Sequence, residues 1–146
     1  MLKRTITLVG LTITLGALLL ALGCSGSNNN PIAPVSSDQL MLAKLGIDTN
    51  NPSRARGNGT ISVVNSSPVK AVISDPDRIA TVVLLWWFGG ANWRYEFYRG
   101  WGAQTIEIPL RHFGQAECAV ALTDANGATD SVWKITRDGT VIRLFP

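Results

Sequence analysis

The sequence predicts an all-β fold, an antiparallel β-sandwich over residues 60–146, and three observations carry that prediction. From Thr60 onward, β-branched and aromatic residues gather in short runs. Turn-forming clusters cut those runs about every ten residues, the spacing of a sandwich or barrel. Two runs also alternate: Ile106, Ile108 and Leu110 fall on one side while Thr105, Glu107 and Pro109 fall on the other, and residues 116–123 behave likewise. Successive side chains of a strand point to opposite faces, so this pattern predicts strands with one buried and one wet face.

The chain before this region reads differently. Lys3 and Arg4 form a short positive start, and Thr5 through Gly23 carry no charge and are rich in Leu, Ile, Val, Ala and Gly. Charge followed by an apolar run is the layout of a secretory signal. Its length falls between a signal core and the roughly 18 residues of a spanning helix, so the end of the run decides. Leu20-Ala21-Leu22-Gly23-Cys24 resembles the lipobox of bacterial lipoproteins, in which a small residue precedes a cysteine that receives a diacylglyceryl group. Ala21 and Leu22 depart from the preferred Leu and small residue at those positions. The resemblance implies that residues 1–23 are a removable signal and that Cys24 becomes the acylated, palmitate-bearing N-terminus. Two acyl chains give a durable membrane anchor where one is marginal. Ser25 after the cysteine resembles lipoproteins sent to an outer membrane.

Residues 24–59 are read as tether, short helix and linker. Ser25–Val35 has too little apolar content to pack. Ser36 and Gln39 stand at capping-box spacing, Leu40, Met41, Leu42 and Leu45 make an apolar side, and Gly46 suits a C-terminal stop, which predicts a helix over 36–46. Asp48–Gly59 is again turn-rich. Strands are expected at 60–65, 68–74, 79–88, 92–99, 104–110, 116–123, 130–136 and 140–145. Their separators are Ser66-Ser67-Pro68, Asp75-Pro76-Asp77, Gly89-Gly90, Gly100–Gly102, Gly114, Asp124–Gly127 and Asp138-Gly139. One strand breaks the alternation. Ile79, Val83, Leu85 and Trp87 would share one face and Ala80, Val82, Leu84, Trp86 and Phe88 the other, so both faces need cover. The helix at 36–46 is the candidate cover within the chain.

Two stretches, residues 74–86 (SDPDRIATVVLLW) and 121–131 (ALTDANGATDS), resemble bacterial immunoglobulin-like extracellular modules, the second resembling the final hairpin of the polycystic-kidney-disease type of repeat. The resemblance implies an immunoglobulin-like sandwich with Trp86 or Trp87 as its core tryptophan. It implies no single activity, because such modules serve as spacers, adhesion domains and enzyme appendages. An antibody-like disulfide is not implied, since a second-strand cysteine is missing and Ala116 stands where a corner tyrosine would be.

Composition narrows the function. Removing Lys3 and Arg4 leaves 11 basic against 10 acidic residues, so nucleic acid is not an expected partner. With Cys24 acylated, Cys118 has no intrachain partner, and its alternation with Ala116, Val120 and Leu122 predicts a buried thiol. His112, the only histidine, is read as a surface-loop residue; one His and one Cys make neither a hydrolase nor a structural zinc set. Asp75, Asp77, Asp124, Asn126 and Asp130 carry hard oxygens of the kind calcium takes, but they lack EF-hand spacing and favour turns for local reasons, so no metal or cofactor is assigned. The aromatic concentration at Trp86, Trp87, Phe88, Trp93, Tyr95, Phe97, Tyr98 and Trp101 is the most distinctive feature. Trp93, Tyr95 and Phe97 share one face and Arg94, Glu96 and Tyr98 the other, the layout of a half-buried strand.

Trp86, Trp87, Trp93, Tyr95 and Trp101 are the candidate ligand or partner surface, since Trp and Tyr dominate contact hot spots. The expectation is a non-enzymatic module of the cell envelope, held to the membrane through Cys24 and making protein contacts. The alternative is a carbohydrate-binding module, which would need at least two exposed, coplanar Trp rings. Cys24→Ser is expected to leave an unprocessed precursor and to abolish labelling with palmitate. Normal cleavage and labelling of that variant would rule out Cys24 as the modified residue.

Overall fold

The computed structural model describes residues 34–50 and 57–146. The signal, Cys24, most of the tether and residues 51–56 of the second linker lie outside the described residues. The architecture is all-β, antiparallel and sandwich-like, with one short helix, α1 (Ser37–Lys44). The strands are β1 (Thr60–Val64), β2 (Lys70–Trp87), β3 (Trp93–Pro109), β4 (Glu117–Asp124), β5 (Thr129–Ile135) and β6 (Val141–Phe145).

Six strands replace the eight expected because two pairs are continuous. Residues 68–74 and 79–88 belong to β2, and 92–99 and 104–110 to β3. The punctuation between them bends a strand instead of ending it. The β2 ladder breaks register between Ser74 and Ile79 and again before Thr81. At that bend Arg78 takes φ 71°, and Trp101 takes φ 52° at the corresponding bend of β3. Bulges of this kind turn a strand without breaking its sheet. The first part of β2 pairs with β1 and with residues 105–109 of β3. Its second part pairs with residues 93–99 of β3 on one side and with β4 on the other, and β5 and β6 follow outward from β4. The sheet thereby curls over itself.

Gly100 is required at the β3 bend. Any Cβ there would collide with the Ile79 carbonyl oxygen and Cγ2.

The main core fills the curl. Ala71, Ile73, Ile79, Val82, Leu84 and Trp86 of β2 meet Ile108, Cys118, Val120, Leu122, Trp133 and Ile135, with Leu110 and Ala116 at the rim. Ile79 lies on this face with Val82 and Leu84, opposite to its expected side. The register shift beside it inserts one residue, and a one-residue slip reverses a side chain's face.

The other face of the same strands is covered by α1. Met41 packs on Leu85 and Ala119, and Leu42 on Ala121 and Val132, with Leu45, Trp87, Trp93 and Leu144 around them. β4 is therefore buried on both faces, contrary to the one wet face its alternation suggested. Ala119 and Ala121 are small enough to read as polar-side positions, and their size is what lets the helix approach. The helix starts at a capping box: the Gln39 N–H donates to Ser36 Oγ (3.2 Å) and the Ser36 N–H to Gln39 Oε1 (3.3 Å). Gly46 ends it at φ 72°. Eight residues are too few for an independent helix in water, so tertiary packing sustains α1. Lys134, also buried under the helix, reaches Asp38 of its first turn.

Met41→Ala is expected to lower stability by about 2–5 kcal/mol, the range for emptying a buried Met or Leu site. Leu40→Ala, on the exposed side, should change it by less than about 0.5 kcal/mol. Urea denaturation of the two variants checks this, and equal effects would mean that α1 does not seal the sheet.

Candidate functional site

The aromatic residues separate into three environments. Trp86 is in the core, with the edge of its ring against His112 (centroids 5.3 Å). Trp87 and Trp93, paired across the β2–β3 hairpin, stack at 5.6 Å and 19° beside α1. The Trp87 Nε1–H donates to the Gly90 carbonyl (3.1 Å), tying the stack to the hairpin turn. These three therefore serve packing. Tyr95 and Trp101 are exposed, at 45% and 82%, and Phe97, outside the expected set, is exposed at 70%.

Tyr95, Phe97 and Trp101 follow one another along β3. Tyr95 and Phe97 are two residues apart on the α1-bearing face, with rings 6.3 Å apart and 15° from parallel. The Tyr95 hydroxyl donates to the Lys44 carbonyl (3.1 Å), which marks where the helix stops covering the strand. Trp101 stands at the bend between Gly100 and Gly102, and the Arg99 guanidinium lies 5.4 Å from its ring centre. Such a cation over an exposed ring contributes about 0.5–1 kcal/mol. Among the described residues β3 pairs only with β2, so its outer edge is unpaired. Exposed Arg94 and Arg99 and the Gly100–Gly102 bend are devices that discourage indiscriminate edge pairing.

On the opposite face of β3 a polar group closes the core. The Tyr98 hydroxyl donates to Glu96 Oε2 (2.7 Å), and His112 Nε2 lies 3.8 Å from Glu96 Oε1. Burial, with the hydrogen bond to Glu96, pushes the Tyr98 phenol up to about 12. His112 is thus no free surface-loop residue: its ring also meets Phe88 edge-on at 5.1 Å and caps the end of the core. The physical signal was its neighbour Phe113, which pulls the loop inward onto the main core.

Cys118 faces Trp86 across the ladder and is buried and free. Burial, the dominant cause, pushes its thiol well up, away from nucleophilic character. Asp75, Asp124 and Asp130 come together at the far end of the sandwich. Among the described residues, however, no three His, Cys, Asp or Glu side chains are arranged to hold a metal ion.

Comparison with known protein families, curated proteins and solved structures returns no match.

The native Cys118 thiol is expected to resist a thiol reagent that labels it readily after denaturation. Cys118→Ser should lose about 1–3 kcal/mol in denaturant titrations, because a hydroxyl enters an apolar site. Prompt labelling of the folded protein would contradict the buried position.

Proposed function

We propose that this chain is a lipid-anchored, immunoglobulin-like module of the bacterial cell envelope, on the outer membrane, that works through protein contacts as a spacer, adhesion or assembly component. The charge-then-apolar start and Gly23-Cys24 support the anchor, and residues 74–86 and 121–131 support the kinship. The observation that carries the contact role is the set of exposed aromatics Tyr95, Phe97 and Trp101 on β3, whose outer edge is free among the described residues. Scattered exposed apolar residues need no explanation, but a stacked Tyr95–Phe97 pair with exposed Trp101 further along the same strand, and arginines between and beside them, has the composition of an interface centre. Carbohydrate binding through a tryptophan platform is less well supported. It needs two exposed coplanar indoles, and among the five tryptophans only Trp101 is largely exposed.

The test is capture from intact membranes with the tagged full chain and with a Phe97→Ser/Trp101→Ser variant. A specific protein partner should be captured by the native chain and lost about tenfold or more by the variant, since aromatic anchors dominate binding energy. The variant's melting temperature should match the native one, because neither side chain is buried. Equal capture by both chains, or retention only on envelope polysaccharide, would overturn the reading.

A further inference from the structure

Among the described residues β3, 17 residues long, is paired along one edge only, to β2. The chemistry of its open edge follows from that ladder. Antiparallel pairs alternate between residues that exchange N–H···O bonds and residues whose N–H and C=O point away from each other. The Phe88 N–H donates to the Asn92 carbonyl (3.1 Å), so these two are a pair of the first kind. Continuing the register makes Trp87–Trp93, Leu85–Tyr95, Val83–Phe97 and Thr81–Arg99 pairs of the second kind. Trp93, Tyr95, Phe97 and Arg99 therefore turn their backbone N–H and C=O groups to the open edge. At the other end of β3 the Leu110 N–H donates to the Val69 carbonyl (2.8 Å), and the same alternation turns Thr105, Glu107 and Pro109 outward. Pro109 has no N–H and the Glu107 side chain is tied to Lys70 (3.0 Å), so that end is blunted. The usable edge is residues 93–99.

An open run of alternate N–H and C=O groups accepts another extended strand. The charges along this run point to a second copy of the same strand. With a two-fold axis through the edge, outward backbone groups meet only when odd residues face odd and even face even. An axis at residue 94 would set Arg94 against the partner's Arg94, and one at residue 96 would set Glu96 against the partner's Glu96. Like charges directly opposite are destabilising. An axis at residue 97 would leave Arg94 facing the partner's Gly100 and Glu96 facing the partner's Tyr98, with no charge matched. An axis at 98 or beyond runs the ladder into the Gly100–Gly102 bend. At residue 95 the charges match: Arg94 faces the partner's Glu96, and by symmetry Glu96 faces the partner's Arg94. On the other face Trp93 meets the partner's Phe97 and the two Tyr95 residues meet at the axis. The charges that deter a generic strand select this pairing.

We propose that two copies of this chain join β3 to β3 about Tyr95, making one continuous antiparallel sheet across the pair. The inference rests on the reading of Tyr95 and Phe97 as a contact surface and names the partner as a second copy. Backbone bonds form between Tyr95 and the partner's Tyr95 and between Trp93 and the partner's Phe97. The charged pairs lie on the face opposite the aromatics. Both members are already held in the single copy: the Arg94 guanidinium lies 5.1 Å from the Phe88 ring centre, and Glu96 accepts from the Tyr98 hydroxyl (2.7 Å). Less side-chain freedom is therefore lost on pairing. An edge contact of this length is small, and confinement of both copies to one membrane by the proposed anchor at Cys24 raises their effective concentration. Trp101 lies outside the ladder.

Oxidation of cells expressing the full chain as Tyr95→Cys, followed by a non-reducing gel, tests this. Opposed hydrogen-bonded residues have Cα atoms about 5.5 Å apart, within reach of a disulfide. Tyr95→Cys should give a cross-linked dimer. The unsubstituted chain should not, nor should Phe97→Cys, whose two thiols would lie about 13 Å apart along the ladder. Arg94→Glu added to Tyr95→Cys should cut the cross-linked yield about tenfold or more, because it sets like charges across both pairs. Adding Glu96→Arg as well should restore the yield, which loss of folding would not allow. Absence of the Tyr95→Cys dimer, or a dimer from Phe97→Cys in its place, would overturn the proposal, as would a yield indifferent to the charge reversals. If the reversed chains fail to accumulate, the comparison of Tyr95→Cys with Phe97→Cys decides alone. Capture of a different protein through Phe97 and Trp101, with no cross-link, would overturn the second copy alone. Failure of both capture and cross-link would overturn the contact reading with it.

Discussion

The structure depends on one constraint, that β2 carries apolar side chains on both faces from Ile79 to Trp87 and neither face can meet water. The inner face is covered by the curl of the sheet. That curl exists because β2 and β3 bend, at 75–78 and 100–102, without losing their pairing. The outer face is covered by α1, which cannot hold itself together at eight residues. Helix and sheet are thus mutually dependent. Met41 and Leu42 have no other place to be buried, and roughly 1.5–3 kcal/mol per buried side chain favours docking them.

The exposed surface follows from the same constraint. α1 stops at Lys44, whose carbonyl accepts from the Tyr95 hydroxyl, and β3 continues beyond that cover. Trp87 and Trp93 fall under the helix, while Phe97 and Trp101 fall past it. Nothing in their local sequence separates these four aromatics. The length of the helix and the position of β3 at the sheet edge do. The bend that curls the sheet also turns Trp101 outward, with a glycine on each side accommodating the backbone.

The bend has an electrostatic consequence at the opposite strand. Turning β2 inward buries the Asp75 carboxylate at the bend, while Asp124 is buried at the β4–β5 turn, accepting the Asn126 and Ala128 N–H groups, and Asp130 is buried near the start of β5, accepting the distant Gly59 N–H. Asp residues favour such turns because a short acceptor can satisfy the local backbone. The fold buries all three.

The sequence by itself determined the all-β class, the capping box and stop of α1, the burial of Cys118 and the two-faced apolar strand that required a cover. Each is a property of local periodicity or of a single side chain's need for burial. The number of strands, the face of Ile79, the burial of Ala119 and Ala121 and the role of His112 were decided by tertiary structure. Asp-Pro-Asp and Gly-Trp-Gly favour a change of chain direction, and whether that change is a turn or a bulge depends on the ladder partners that continue across it. The same reason divides the aromatic cluster. Alternation reports which side chains share a face, but exposure of that face depends on which distant segment lies over it and where that segment ends.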